Sequence, residues 1–194
     1  MAMKIFILDN YDSFTYNIAQ NLQKSGAKVL VKRESQTSIK QIKKFHPQRI
    51  VISPGPLSPA KHPFIFSVIE NFHQKIPLLG ICLGMQAINE YFGGKTRKSL
   101  RPCHGKTSLI FHQQTGIFSG LPSPFAAARY HSLIVDEIPF ELQLTAFTEK
   151  NVPMALEHKK YPIFGLQFHP ESFLTIEGKK IFNNFVSLPF CYVY

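Results

Sequence analysis

The sequence predicts a single α/β domain: an open, mixed, mostly parallel sheet flanked by helices, with additional antiparallel strands in its second half. Three observations lead there. Short β-branched or apolar runs alternate with segments of helical period through the first half of the chain, which is the pattern of strand, helix and parallel strand repeated. Those runs are apolar throughout rather than alternating, as strands buried on both faces must be. Beyond residue 105, strand-like runs follow one another with only loops between them, which reads as antiparallel pairing in the same sheet.

The elements follow in order. The runs "KIFIL", "AKVLV", "RIVIS" and "IPLLGI" are the parallel strands, and residues 15–24, 39–45 and 64–72 are the helices between them. A further helix begins near Met85. Residues 96–103 are expected to be irregular, with a strand starting at Lys106. "TSLIFH", "QLTAF", "PMALEH" and "IFGLQF" are the later strands, and a last helix covers residues 178–186. No Pro/Gly/Ser linker divides the halves, so residues 1–188 form one domain and 189–194 a C-terminal tail.

A chain of 194 residues buries roughly two-thirds of its unfolded surface, enough for a self-sufficient core. The apolar stretches are far shorter than the roughly 20 residues a bilayer span needs, and the amino-terminal segment lacks a signal-peptide apolar region. A cytoplasmic protein without membrane association is expected. Three cysteines, Cys82, Cys103 and Cys191, form no CxxC pair, which argues against a disulfide framework and a zinc site; no metal or cofactor is expected. The net charge of +10 is concentrated in residues 24–49, where Glu34 is the single acid, and again around 95–106. No nucleic-acid module accompanies it, so it is read as a solvated face or a docking face for an acidic partner, and no nucleic-acid partner is expected.

The chemistry centres on "GICLG". Gly80, Cys82 and Gly84 have the spacing of a nucleophile elbow, whose glycines permit a tight strand-to-helix turn that lifts the central side chain above the sheet. There the N-terminal end of the next helix favours an anionic sulfur, and the side chain is expected to stand exposed. A nucleophile needs a base, and the base needs an orienting group. "FHPES" offers both: His169 at a strand end and Glu171 two residues later. Gly55 in "SPGPLSP" and the residue after the nucleophile, Leu83, are candidate oxyanion donors through their backbone N–H groups. "GKTS" imitates the tail of a P-loop, but Leu100 stands where the first glycine is required.

These segments carry a resemblance. "DNYDSFTYN", "VISPGP", "GICLGMQ", "HGKTS", "RYHSL" and "FHPES" occur in the order seen in class I (triad) glutamine amidotransferases, over nearly the whole chain. The first, fourth and fifth are similar to segments in the small subunits of anthranilate synthase and 4-amino-4-deoxychorismate synthase. The resemblance implies a glutaminase that passes ammonia to a separate chorismate-using large subunit. It assigns Cys82, His169 and Glu171 as the triad, and Gly55 and Leu83 as the oxyanion hole. Gln86, the backbone of Ser132 and Leu133, and the backbone of Leu57 would hold the amino-acid end of glutamine. Leu57 stands where many relatives have glycine, and Met85 where histidine is frequent. Asp12, Ser13, His104 and Lys106 would face the partner; the alternative for the first two is capping of the helix that follows. The other functions considered are a stand-alone γ-glutamyl cysteine hydrolase and a binding subunit without catalysis.

Overall fold

In the computed structural model, which describes residues 2–189, the chain forms a nine-stranded mixed sheet with helices on both faces. Met1 and residues 190–194, with Cys191 and all of the expected tail except Pro189, lie outside the described residues.

The first half follows the predicted alternation: β1 (Lys4–Asp9), α1 (Thr15–Lys24), β2 (Lys28–Arg33), α2 (Ile39–Phe45), β3 (Arg49–Ile52), α3 (Pro63–Phe72), β4 (Leu78–Ile81) and α4 (Leu83–Tyr91). The second half contains β5 (Lys95–His112), β6 (Phe125–Glu137), β7 (Leu142–Thr148), β8 (Pro153–His158), β9 (Ile163–Leu166) and α5 (Gly178–Ser187). The sheet order is β2-β1-β3-β4-β9-β8-β7-β5-β6.

Side-chain alternation in β1 separates two cores. Ile5 and Ile7 pack with Ile18 and Leu22 of α1 and Phe182 of α5, whereas Phe6 and Leu8 pack with Ile42 of α2 and Val68 of α3. Both faces being covered, β3 and β4 are buried at every residue, which explains why both are apolar apart from Arg49 at the start of β3.

Four expectations are corrected. β9 is parallel to β4, with Gly80 opposite Gly165, and only its other edge pairs antiparallel, with β8. The short apolar "IFGL" is buried at every position, as an inner parallel strand requires. Residues 96–103 lie within β5 rather than ahead of a strand starting at Lys106, and the expected irregularity is confined to the register shifts against β6 between Lys98 and Cys103 and between His104 and Lys106. β6, carrying "RYHSL", is not among the predicted strands because Arg129, Tyr130 and His131 interrupt its apolar pattern. Finally, α4 begins at Leu83 rather than near Met85.

The parallel array decides where the site lies. β1, β3, β4 and β9 run the same way, so the loops at Asn10–Phe14, Ser53–Ser58, Cys82 and Gln167–Glu171 leave one edge of the sheet. That edge is where open α/β sheets bind ligands.

Candidate active site

Cys82 sits between β4 and α4 at φ 52° and ψ −101°, outside the regions ordinary residues prefer. Its neighbours make the turn possible. A Cβ on Gly80 would strike the backbone of Gly84, and one on Gly84 would lie 2.6 Å from the Ile52 carbonyl oxygen. The Cys82 N–H donates to Leu166 O at 2.6 Å, tying the elbow to the end of β9. The expected exposure is not found: Cys82 is 7% exposed and Cys103 8%, so burial does not distinguish them. Gly55 of the loop after β3 and Gln167 after β9 approach the elbow closely.

His169 does distinguish them. Its Nδ1 is 2.7 Å from Glu171 Oε1, an orientation that leaves Nε2 free of the carboxylate. Nε2 is buried and makes no well-formed hydrogen bond, yet the ring is close enough to the Cys82 sulfur for charge there to act on it. Burial alone would lower the proton affinity of His169; the Glu171 carboxylate and Cys82 outweigh it, and the pKa stands well above the usual imidazole value. The ring is wedged by aromatic edges, with Tyr130 at 5.0 Å and Phe14 at 6.0 Å between centroids. His169 N–H donates to Ala128 O at 2.9 Å, and Thr175 Oγ1 donates to His169 O at 2.8 Å, so β6 and the following loop lock its backbone.

The oxyanion candidates also converge. A Cβ at Gly55 would lie 2.6 Å from Leu83 Cδ2 and 2.8 Å from Asn10 O, so only glycine lets the loop approach this closely. Gln86 lies under the elbow at 2% exposure. Its Nε2 donates to Gln167 Oε1 at 3.1 Å and to Leu133 O at 3.4 Å, which uses both amide hydrogens and leaves its own carbonyl oxygen for a ligand. Leu57 and Ser132 are exposed and Leu133 half-buried.

Several residues here were missed in the sequence. Gln167, fully buried, donates from Nε2 to Cys82 Sγ at 3.5 Å, completing a chain from Leu133 through Gln86 to the sulfur. The signal was an amide in an otherwise apolar run. His131 continues that chain outward: Nδ1 donates to Leu133 O at 2.8 Å, so Nε2 is the acceptor for the Arg129 Nε–H at 3.0 Å. Burial first, then the Arg129 charge, lowers the His131 pKa to about 4, so the ring is neutral, as this bonding requires. Asp9 organises the loop after β1, accepting from Tyr11 N at 3.0 Å and Thr15 Oγ1 at 3.0 Å.

The partner-facing candidates separate. Asp12 is near the triad: burial raises its pKa, and both His169 and Glu171 act on it electrostatically. It does not cap α1, whose N-cap is Phe14 without a side-chain cap; Asp12 Oδ1 instead accepts from Phe14 N at 2.8 Å. Ser13, His104 and Lys106 are exposed, the last two on the β5–β6 hairpin. Among the described residues no group of His, Cys, Asp or Glu is arranged to hold a metal ion, and no helix is long and apolar enough to cross a membrane.

An open α/β sheet presenting a cysteine on an elbow, beside a histidine held by a glutamate, defines a class of protein equipped for acyl transfer through a thiol. The chain belongs more narrowly to the class-I glutamine amidotransferase family, whose model matches residues 6–188. It is 47% identical over 186 residues to anthranilate synthase component 2 of Cyanophora paradoxa, covering 94% of this chain and 98% of that one. It is 42% identical over 184 residues to aminodeoxychorismate synthase component 2 of Escherichia coli K12, with 94% and 98% covered. A crystal structure from Thermoplasma acidophilum, described as a putative GMP synthase component, superposes with a TM-score of 0.86 at 26% identity, covering 96% of this chain and 93% of that one.

Proposed function

We propose that this chain is the glutaminase subunit of a chorismate-using synthase, hydrolysing glutamine at Cys82 and delivering the ammonia to a large partner subunit. The observation that carries the chemistry is the His169–Glu171 contact at 2.7 Å with the opposite ring nitrogen left free on the Cys82 side. The partner is supported by relatives of nearly equal length that are named as component 2 of anthranilate and aminodeoxychorismate synthases. The active unit is residues 1–188.

In this reading the Cys82 sulfur attacks the side-chain amide carbon of glutamine as the thiolate, its proton residing on His169. The carbonyl oxygen becomes an oxyanion facing the N–H groups of Gly55 and Leu83. His169, held protonated by Glu171, gives its Nε2 proton to the amide nitrogen; ammonia leaves and a glutamyl thioester remains. Water then attacks the thioester, His169 takes its proton, and the C–S bond breaks to release glutamate. Gln86, through its free carbonyl oxygen, and the backbone of Leu57, Ser132 and Leu133 hold the amino-acid end. Asp12, Ser13, His104 and Lys106 face the large subunit.

The test is Cys82→Ala in the complex purified with its native large subunit. Glutamine-dependent formation of anthranilate or aminodeoxychorismate is expected to vanish while ammonia-dependent formation persists. Loss of both would make Cys82 structural. Equal glutamate release by the native chain with and without chorismate and the large subunit would favour a stand-alone hydrolase.

A further inference from the structure

Leu57 adopts φ 66°, a conformation that residues with a Cβ take rarely, and its side chain is 70% exposed, so its own packing does not hold it there. The loop is also short of backbone donors. Pro54, Pro56 and Pro59 have no N–H to donate.

The missing donor comes from His62, just before α3. Its Nε2 lies 2.9 Å from the Pro56 carbonyl oxygen and its Nδ1 2.8 Å from Glu34 Oε1. A carbonyl only accepts, so Nε2–H donates to Pro56 O, while Nδ1 faces the Glu34 carboxyl group. His62 is 4% exposed, and Glu34 follows the end of β2, so the strut ties the Pro56 peptide to a separate element. Glu34, the one acid in the basic stretch of residues 24–49, thus has a specific partner.

Peptide planarity carries the argument to the site. The Pro56–Leu57 bond is trans, so its C=O and N–H point in opposite directions. Fixing the carbonyl on His62 turns the Leu57 N–H away from His62. We propose that Glu34 and His62 are positioning residues that clamp the Pro56–Leu57 peptide, holding the Leu57 N–H toward the amino-acid end of glutamine and stabilising leucine in a conformation suited to glycine. This rests on the proposed glutaminase reading. Neither residue touches the reacting atoms.

Two alkylating probes on the full-length chain test it. The glutamine analogue 6-diazo-5-oxo-L-norleucine must be held by its amino-acid end before it labels Cys82, whereas iodoacetamide has no such end. His62→Ala is expected to raise the half-saturating concentration of the analogue about tenfold, the loss of one good hydrogen bond, with iodoacetamide labelling of Cys82 unchanged. Glu34→Ala is expected to raise it about threefold by freeing the ring. Leu57→Gly added to His62→Ala should restore at least about a third of the loss on a logarithmic scale, because glycine reaches positive φ without a steric penalty.

Equal half-saturation in wild type and His62→Ala overturns the clamp, as does a double variant no better than His62→Ala. If His62→Ala does not fold, unchanged half-saturation in Glu34→Ala overturns it. Failure of the analogue to label Cys82 in the wild-type chain would instead overturn the glutaminase reading.

Discussion

At Cys82 the fold places an unfavourable backbone conformation, a donor from Gln167 and an imidazole whose proton affinity Glu171 raises around one sulfur. A backbone outlier of this kind costs roughly 1–3 kcal/mol, and the buried hydrogen bonds around it hold it in place. Gln167 is the part most open to experiment, since it bonds to both the sulfur and Gln86. Gln167→Met keeps the volume and removes both bonds. It is expected to lower kcat for glutamine hydrolysis by about tenfold or more, the loss of roughly 1.4 kcal/mol or more of transition-state stabilisation. Steady-state glutamate release checks this, and an unchanged kcat would leave Gln167 as packing only. Gln167 was not legible beforehand because an amide in a buried strand looks the same whether its partner is a neighbour or a thiol 85 residues away.

The elbow between β4 and α4 belongs to the scale of the element. Gly84 packs against β3 so tightly that an added Cβ would sit 2.6 Å from Ile52 O and 3.1 Å from Ile52 Cβ. Backbone is not free to yield there. Gly84→Ala is therefore expected to lower stability by about 1–3 kcal/mol, measured by urea unfolding, and to lower glutaminase activity by pushing α4 from β3. A variant as stable and active as wild type would contradict the close approach. The elbow was readable from glycine spacing because its constraint is local. β6 was not readable, because its polar "RYH" segment is accommodated by β5 and by the loop carrying His169. Its identity as a strand depends on partners distant in sequence.

At the scale of the molecule, the neutral His131 links the site to stability. An unfolded histidine titrates near 6.5, and in the folded chain His131 is lowered to about 4. A depressed histidine favours the folded state above its unfolded pKa, and that contribution is lost as pH falls from about 6.5 toward about 4. The difference amounts to about 3 kcal/mol. His131→Asn is expected to lose about 3 kcal/mol less stability than wild type across that interval, with other acid-titrating groups common to both. Parallel slopes in denaturant unfolding at pH 7, 5.5 and 4.5 would show that His131 is not the acid-sensitive group. The same scale explains β9, a late segment inserted between β4 and β8 at the centre of the sheet. Cys82 and His169 can meet only after that insertion.

The sequence by itself determined the α/β alternation, the largely apolar inner strands, the glycine-bracketed cysteine and the His169–Glu171 spacing. Each depends on residues within one turn or one strand, where period, size and backbone freedom suffice. The tertiary structure decided what those pieces face. It made β9 parallel, joined residues 96–103 to a long strand, buried Cys82, and brought Gln167, Tyr130 and Phe14 around the triad. These outcomes depend on which strand edges pair across the whole chain, and pairing is set by the joint burial of two cores rather than by any local pattern.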